Sequence, residues 1–200
     1  NKRHLKAMLN WAKDQSLIPV CPAFPKIQRK KKTNKATPMK GRPITDAEFL
    51  KMLQAVPKVV PEDEVDGYIY FLRCLYASGL RLQEATELYW DRDDKLCLHF
   101  EDDGEMLLWI PDEYEKGHQD RLMELAPEFA DLLNDVPEDQ RHGPVFSMKG
   151  QWRWIGRRIS KIGEAAGILV NEKTGKFASA HDLRRAYGER WAGRVGELDL

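Results

Sequence analysis

Ser78-Gly79-Leu80-Arg81-Leu82-Gln83-Glu84-Ala85-Thr86-Glu87-Leu88 is the stretch on which the fold turns. Before it, Val65, Ile69, Leu72, Leu75 and Tyr76 recur at helical spacing and predict a helix over about 62–77. Ser78-Gly79 breaks that helix. A new helix is expected near Arg81, with Ala85, Leu88 and Tyr89 turned inward. Glu84 follows Arg81 by three residues, shares its face and can brace its guanidinium. Taken alone, this pair also reads as a surface ion pair worth about 0–1 kcal/mol. Arginine suits a phosphate because its planar fork donates two parallel hydrogen bonds and stays charged.

Outward from this stretch the chain is mostly helical. Thr45 and Glu48 form a capping-box pattern ahead of Phe49, Met52 and Leu53, and that helix stops before Pro57. Downstream, Leu96–Phe100 and Met106–Ile110 flank Glu101-Asp102-Asp103-Gly104, a hairpin signal. Arg121–Leu125 follows a second turn, Lys116–Asp120, so a three-stranded antiparallel sheet is expected. Helices resume over about 127–134, 151–166 and 181–193. Upstream, Leu5, Met8, Leu9 and Ala12 make one amphipathic helix that ends near Ser16, and Pro19, Pro22 and Pro25 forbid its continuation. The fold class is α+β: a mostly helical domain with a small sheet, preceded by one helix that belongs to an upstream helical domain.

Composition narrows the function classes. The 200 residues are 42% hydrophobic and 10% aromatic, enough for a core. No apolar run approaches the roughly 18 residues of a membrane span. The three cysteines, Cys21, Cys74 and Cys97, lie far apart, which argues against a disulfide framework or cysteine zinc site and fits a reducing cytosol. Histidines lack metal-ligand spacing, so neither metal nor other cofactor is assigned. The chain opens on Asn1 with no visible signal peptide, and the expectation is a piece of a longer cytoplasmic protein.

The net charge of zero hides segregation. Residues 1–43 carry twelve bases and one acid, whereas residues 101–148 carry three bases and fourteen acids. Arg29, Lys30, Lys31, Lys32, Lys35, Lys40 and Arg42 form a basic stretch that reads as a linker over 29–43, able to track a DNA backbone or simply to be solvated. Trp152, Arg153, Trp154, Arg157, Arg158 and Lys161 interleave aromatics with bases on one helix. One face of that helix could also meet DNA, or Trp152, Ile155 and Ile159 could be core and the bases merely exposed.

Two further elements carry candidate chemistry. In Ala180-His181-Asp182-Leu183-Arg184-Arg185, His181 and Arg184 share a helix face near its N-terminus, where free N–H groups and the dipole favour phosphate. The same spacing also suits a capped surface helix. Lys116 sits at a turn amid Asp112, Glu113, Glu115 and Asp120. A turn lysine is ordinarily solvated, but one cation projecting from an acidic hairpin suggests a specific anion.

Together these segments resemble the tyrosine recombinases, the phage integrase family. Residues 78–88 resemble the first arginine box, 180–185 the His-x-x-Arg box, and Lys116-Gly117-His118-Gln119-Asp120-Arg121 the hairpin lysine segment. Leu5–Ile27 is similar to the end of the family's core-binding domain, so the resemblance divides the chain into 1–28, the linker 29–43 and a catalytic domain 44–200. It implies metal-free strand exchange through a 3′-phosphotyrosine, on double-stranded DNA, by a homotetramer, in site-specific recombination such as the integration of a mobile element. Arg81 and Arg184 would stabilise the transition state, Lys116 would protonate the leaving 5′ oxygen, and His181 would hydrogen-bond the phosphate. Glu84 would be a buried brace. The family's second His or Trp and its nucleophilic tyrosine lie beyond the His-x-x-Arg box, and neither is found before Leu200. Tyr187 occupies a packing position in the family. The chain is therefore expected to bind DNA without cleaving it. The alternatives are a naturally inactive, integrase-derived DNA-binding protein and, within the enzymes, a type IB topoisomerase relative.

Overall fold

The computed structural model describes residues 2–22, 40–101, 105–112 and 119–198. The chain divides into two compact units, 1–38 and 39–200. The first holds helix α1, Lys2–Asp14. Ser16 adopts a left-handed conformation (φ 57°) directly after it, and Leu17 N–H returns to Ala12 O at 2.9 Å, which closes the helix C-terminus. Leu5, Met8 and Trp11 are exposed along α1.

The second unit is built around helix α3, Val65–Ser78. Tyr68, Phe71, Leu72, Cys74, Leu75, Tyr76 and Ala77 are all buried there, so the helix is apolar nearly all round. Helices α2 (Asp46–Ala55), α5 (Pro127–Asn134), α6 (Trp152–Ala165) and α7 (Ala180–Leu198) complete the helical layer. Their apolar residues join α3 in one core: Phe49 and Met52 from α2, Phe129 and Leu133 from α5, Ile155, Ile159 and Ile162 from α6, and Leu183 and Ala186 from α7. Phe49 stacks on Tyr76 with ring centroids 4.0 Å apart. The expected helix over 62–77 starts with a separate 3-10 turn, Glu62–Glu64, whose Glu64 side chain pairs with Arg158 of α6.

The sheet is antiparallel, in the order β1 (Cys97–Phe100), β2 (Met106–Ile110), β3 (Arg121–Glu124). Leu98 opposes Leu108, and Ile110 opposes Arg121. Leu98 and Leu108 are buried, whereas β3 is exposed along its whole length. Between α3 and the sheet lies α4, Leu82–Thr86, one short helix. The expectation of a longer helix reaching Tyr89 is corrected. Ala85 and Leu88 are buried as expected, but the helix ends at Thr86 in a turn at Glu87, and Tyr89 N–H donates to Leu96 O at 2.9 Å.

A two-stranded hairpin, β4 (Leu169–Asn171) with β5 (Lys176–Phe177), was not anticipated from sequence. Strands of three and two residues are too short to display an alternating pattern. Asn171 caps the intervening turn by accepting from Thr174 N–H at 3.2 Å.

Residues 41–43, expected in the linker, pack with the second unit. Gly41 is buried, and Arg42 pairs bidentately with Glu48 and donates to Leu169 O at 3.1 Å. Glu48 also closes the α2 capping box with Thr45. The Arg42 guanidinium holds the Glu48 carboxyl well below its usual value, at about 2.

Close backbone approach fixes α6 against the chain that leads into α7. A Cβ on Gly163 would overlap the carbonyl oxygen of Ala178, which is backbone and cannot rotate away. Gly163→Ala is expected to lower the free energy of unfolding by about 1–3 kcal/mol, measured by urea denaturation. An unchanged midpoint would contradict this packing.

Candidate phosphate-binding site

Gly79 decides where the site begins. It ends α3 in the left-handed conformation (φ 62°), and a Cβ there would overlap the Tyr187 ring. Both constraints call for glycine. The chain then turns so that Arg81 becomes the N-cap residue of α4. Glu84, in the first turn of α4, accepts from Arg81 N–H at 2.7 Å and pairs with the Arg81 guanidinium.

Arg184 arrives from α7, more than a hundred positions later. Its Nη1 donates to Gly79 O and lies 3.9 Å from Glu84 Oε2. One carboxylate thus faces both guanidiniums. The side chain of Glu84 is 25% exposed, against 67% for Arg81 and 40% for Arg184. Glu84 is therefore half-buried rather than fully buried, and the arginines keep donor capacity toward solvent.

Two cavities meet at this pair. One, of about 720 Å³, is lined by Arg81, Glu84 and Arg184 together with Arg121, Met123 and Tyr187. The other, of about 380 Å³, is lined by the same two arginines with Gln83, Trp152, Ser179 and His181. The structure therefore brings Arg81, Glu84, His181 and Arg184 together.

His181 is one turn before Arg184 on α7. Its pKa is lowered, first by burial and then by the positive charges of Arg185, Lys176 and Arg184, while Asp182 opposes them. The imidazole is consequently neutral at pH 7, able to donate from one nitrogen and accept at the other.

Lys116, Arg29, Lys30, Lys31, Lys32 and Lys35 lie outside the described residues. Lys40 is exposed, while Arg42 has its donors engaged by Glu48 and by the carbonyls of Pro43 and Leu169. Sequence reasoning missed Asp182 beside the site, and read Trp152 and Arg121 only as part of a helix face and of the lysine segment. Asp182 stood in the quoted His-x-x-Arg segment, but a surface helix cap explained it equally well. Among the described residues no group of three or more His, Cys, Asp or Glu is placed to hold a metal ion, and no helix is long and apolar enough to cross a membrane.

No protein-family model and no curated protein matches this sequence. Solved structures do. XerH site-specific recombinase bound to difH substrate, in a pre-cleavage complex, is 17% identical with a TM-score of 0.51, over 96% of this chain and 53% of that one. XerH bound to palindromic difH substrate, in a post-cleavage complex, is 18% identical with a TM-score of 0.51, over 93% and 53%. XerA recombinase is 17% identical with a TM-score of 0.48, over 80% and 53%. The chain spans about half the length of each. At this identity the XerH likeness shows the fold alone: this chain shares the fold of those XerH structures, with helices and a small antiparallel sheet as described above.

The electrostatics of His181 can be measured directly. Its ring resonances should titrate with a midpoint below the ordinary 6.5. The unfolded chain then binds that proton more readily, so His181 favours folding above this pH and withdraws that stability as pH falls through its folded midpoint. A midpoint above 6.5 would contradict the cationic surroundings described here.

Proposed function

We propose that this chain is the catalytic-domain portion of a tyrosine-type site-specific DNA recombinase. One observation carries the reading. Arg81 and Arg184, from distant parts of the chain, share the Glu84 carboxylate at the wall between two cavities, and His181 lines one of them. Such a site suits phosphoryl transfer without a metal, since two fixed guanidiniums can stabilise the negative charge gathered on the non-bridging oxygens. The fold of the XerH complexes, whose partner is a difH substrate, is consistent with this.

In the full reaction a tyrosine oxygen attacks phosphorus and forms a 3′-phosphotyrosine. The bond to the 5′ oxygen breaks, and Lys116 supplies the proton to that oxygen. His181 hydrogen-bonds the phosphate. Attack by the 5′ hydroxyl of a partner strand restores the phosphodiester and frees the tyrosine, so the bond energy is conserved and no ATP is needed. A tetramer on two duplexes would carry out the exchange.

The tyrosines among the described residues are otherwise engaged. Tyr68 is 1% exposed, Tyr70 donates to Leu132 O at 3.1 Å, Tyr76 donates to Asp46, and the Tyr187 ring fills the space above Gly79. Tyr89 has the Arg92 guanidinium 5.5 Å above its ring, and Tyr114 lies outside the described residues. We expect residues 1–200 to bind duplex without cleaving it.

The outer face of α6 offers a second DNA contact. Trp154 is 62% exposed with Arg157 stacked 4.9 Å from its ring centroid, and Arg153 stacks at 4.7 Å on Trp152. Arg158, grouped with these bases from the sequence, instead turns inward to Glu64 and Tyr68.

Three outcomes are expected. Duplex binding should weaken about tenfold in Arg184→Ala, the loss of one charge-assisted contact, as read by fluorescence anisotropy. Lys30→Ala should weaken binding to all sequences alike and reduce the salt slope by about 0.9. No covalent adduct should form on a nicked suicide substrate. An adduct that Tyr187→Phe abolishes, or unchanged binding in Arg184→Ala, would overturn the proposal.

A further inference from the structure

Asp182 is the only charged or polar side chain that is buried among the described residues, and it is wholly so. Its carboxylate accepts from Ser179 Oγ at 2.6 Å, Ser179 N–H at 3.1 Å, Lys176 Nζ at 3.0 Å and the Arg185 guanidinium. A carboxylate removed from water is tolerated only with such a donor set, and breaking the set leaves an uncompensated charge.

The backbone at Gly41 lies directly against this cluster. A Cβ there would overlap Asp182 Oδ1 and stand 2.9 Å from Arg185 Nη1 and 3.0 Å from Lys176 Nζ. The next residue, Arg42, is held by Glu48 of α2 and by Leu169 O of β4. Three elements thus meet near the start of the second unit. Asp182 stands next to His181 and two residues before Arg184, in the first turn of the helix that presents both. Its charge also offsets Lys176 and Arg185, which it pairs with, and acts on His181 and Arg42. An acid in the first turn agrees with the helix dipole. A buried ion cluster serving stability alone could sit anywhere in the core. This one joins the first turn of α7 to the start of the second unit, at a position where no side chain fits.

We propose that Asp182 is a positioning residue: it locks the backbone at Gly41 to the first turn of α7 and so sets His181 and Arg184. The inference rests on the phosphate-site reading, which gives those two residues their roles. A displacement at residue 41 acts on the carboxylate directly, and the carboxylate is continuous through the helix backbone with His181.

The test uses the full chain and the ring signals of His181 in two-dimensional NMR spectra, assigned with His181→Gln, with inorganic phosphate as the probe. Gly41→Ala should move the His181 signals and weaken the phosphate response about tenfold, one charge-assisted hydrogen bond. Gly67→Ala, whose added methyl would meet nothing within 4 Å, should leave both as in the wild type. Asp182→Asn keeps the volume and removes the charge, and it should lower the His181 titration midpoint further, because Asp182 opposes Arg185, Lys176 and Arg184 there. If one variant does not fold, the other decides. Folded variants with wild-type His181 spectra would overturn the inference. A wild-type protein whose His181 ignores phosphate would instead overturn the phosphate reading, and the shift comparison would still stand.

Discussion

A single carboxylate between two guanidiniums is the interaction on which the rest depends. Arg81 and Arg184 would repel one another at close range. Glu84 offsets that repulsion, with one oxygen on the Arg81 side chain and the other on the Arg81 backbone and within 3.9 Å of Arg184. The side chains are partly exposed, so the pairs contribute little to folding. Their value is organisational. The guanidiniums are placed before any anion arrives, and the charge left over is positive. On the proposed reading, a phosphodiester, with one negative charge shared between two non-bridging oxygens, would complement that arrangement, and little reorganisation would be needed as charge builds in a transition state.

Close contacts at glycines hold this arrangement in place. Gly79 lets α3 end under the Tyr187 ring, and its carbonyl receives Arg184. Gly163 lets α6 touch the backbone at Ala178, two residues before α7 begins. Gly156 brings α6 close to Leu82 of α4, where a Cβ would stand 2.9 Å from Leu82 Cδ2. Close approach at these glycines thus places the two arginine-bearing helices, and Glu84 then holds the guanidiniums they carry. Substitutions in the core would act on the site at a distance.

Much of this was legible in the residues. The helical period of 65–76 and the Ser78-Gly79 break placed Arg81 at a helix start, because an αL glycine leaves few other paths. The capping box at Thr45 and Glu48 is present as read, and the three sheet strands occur where short runs and the turns between them put them. Other features were hidden for physical reasons. The β4–β5 hairpin is too short for a periodic signal. The early end of α4 at Thr86 reflects tertiary pairing of Tyr89 with Leu96, which overrides the apolar spacing of Ala85 and Leu88. The inward turn of Arg158 depends on Glu64, 94 residues away. The convergence of Arg81 with Arg184 was inferred from a family resemblance, since spacing alone gave a surface ion pair equal standing. The burial of Asp182 could not be read at all, because its neighbours Lys176 and Gly41 are brought to it only by the fold.

The most direct test is a crystal structure of this chain grown with orthovanadate or phosphate. One anion in contact with both guanidiniums, with His181 facing it from α7, is the expected result. Anions bound separately to Arg81 and Arg184, or the two side chains directed away from a common centre, would contradict the shared-carboxylate site and the chemistry drawn from it.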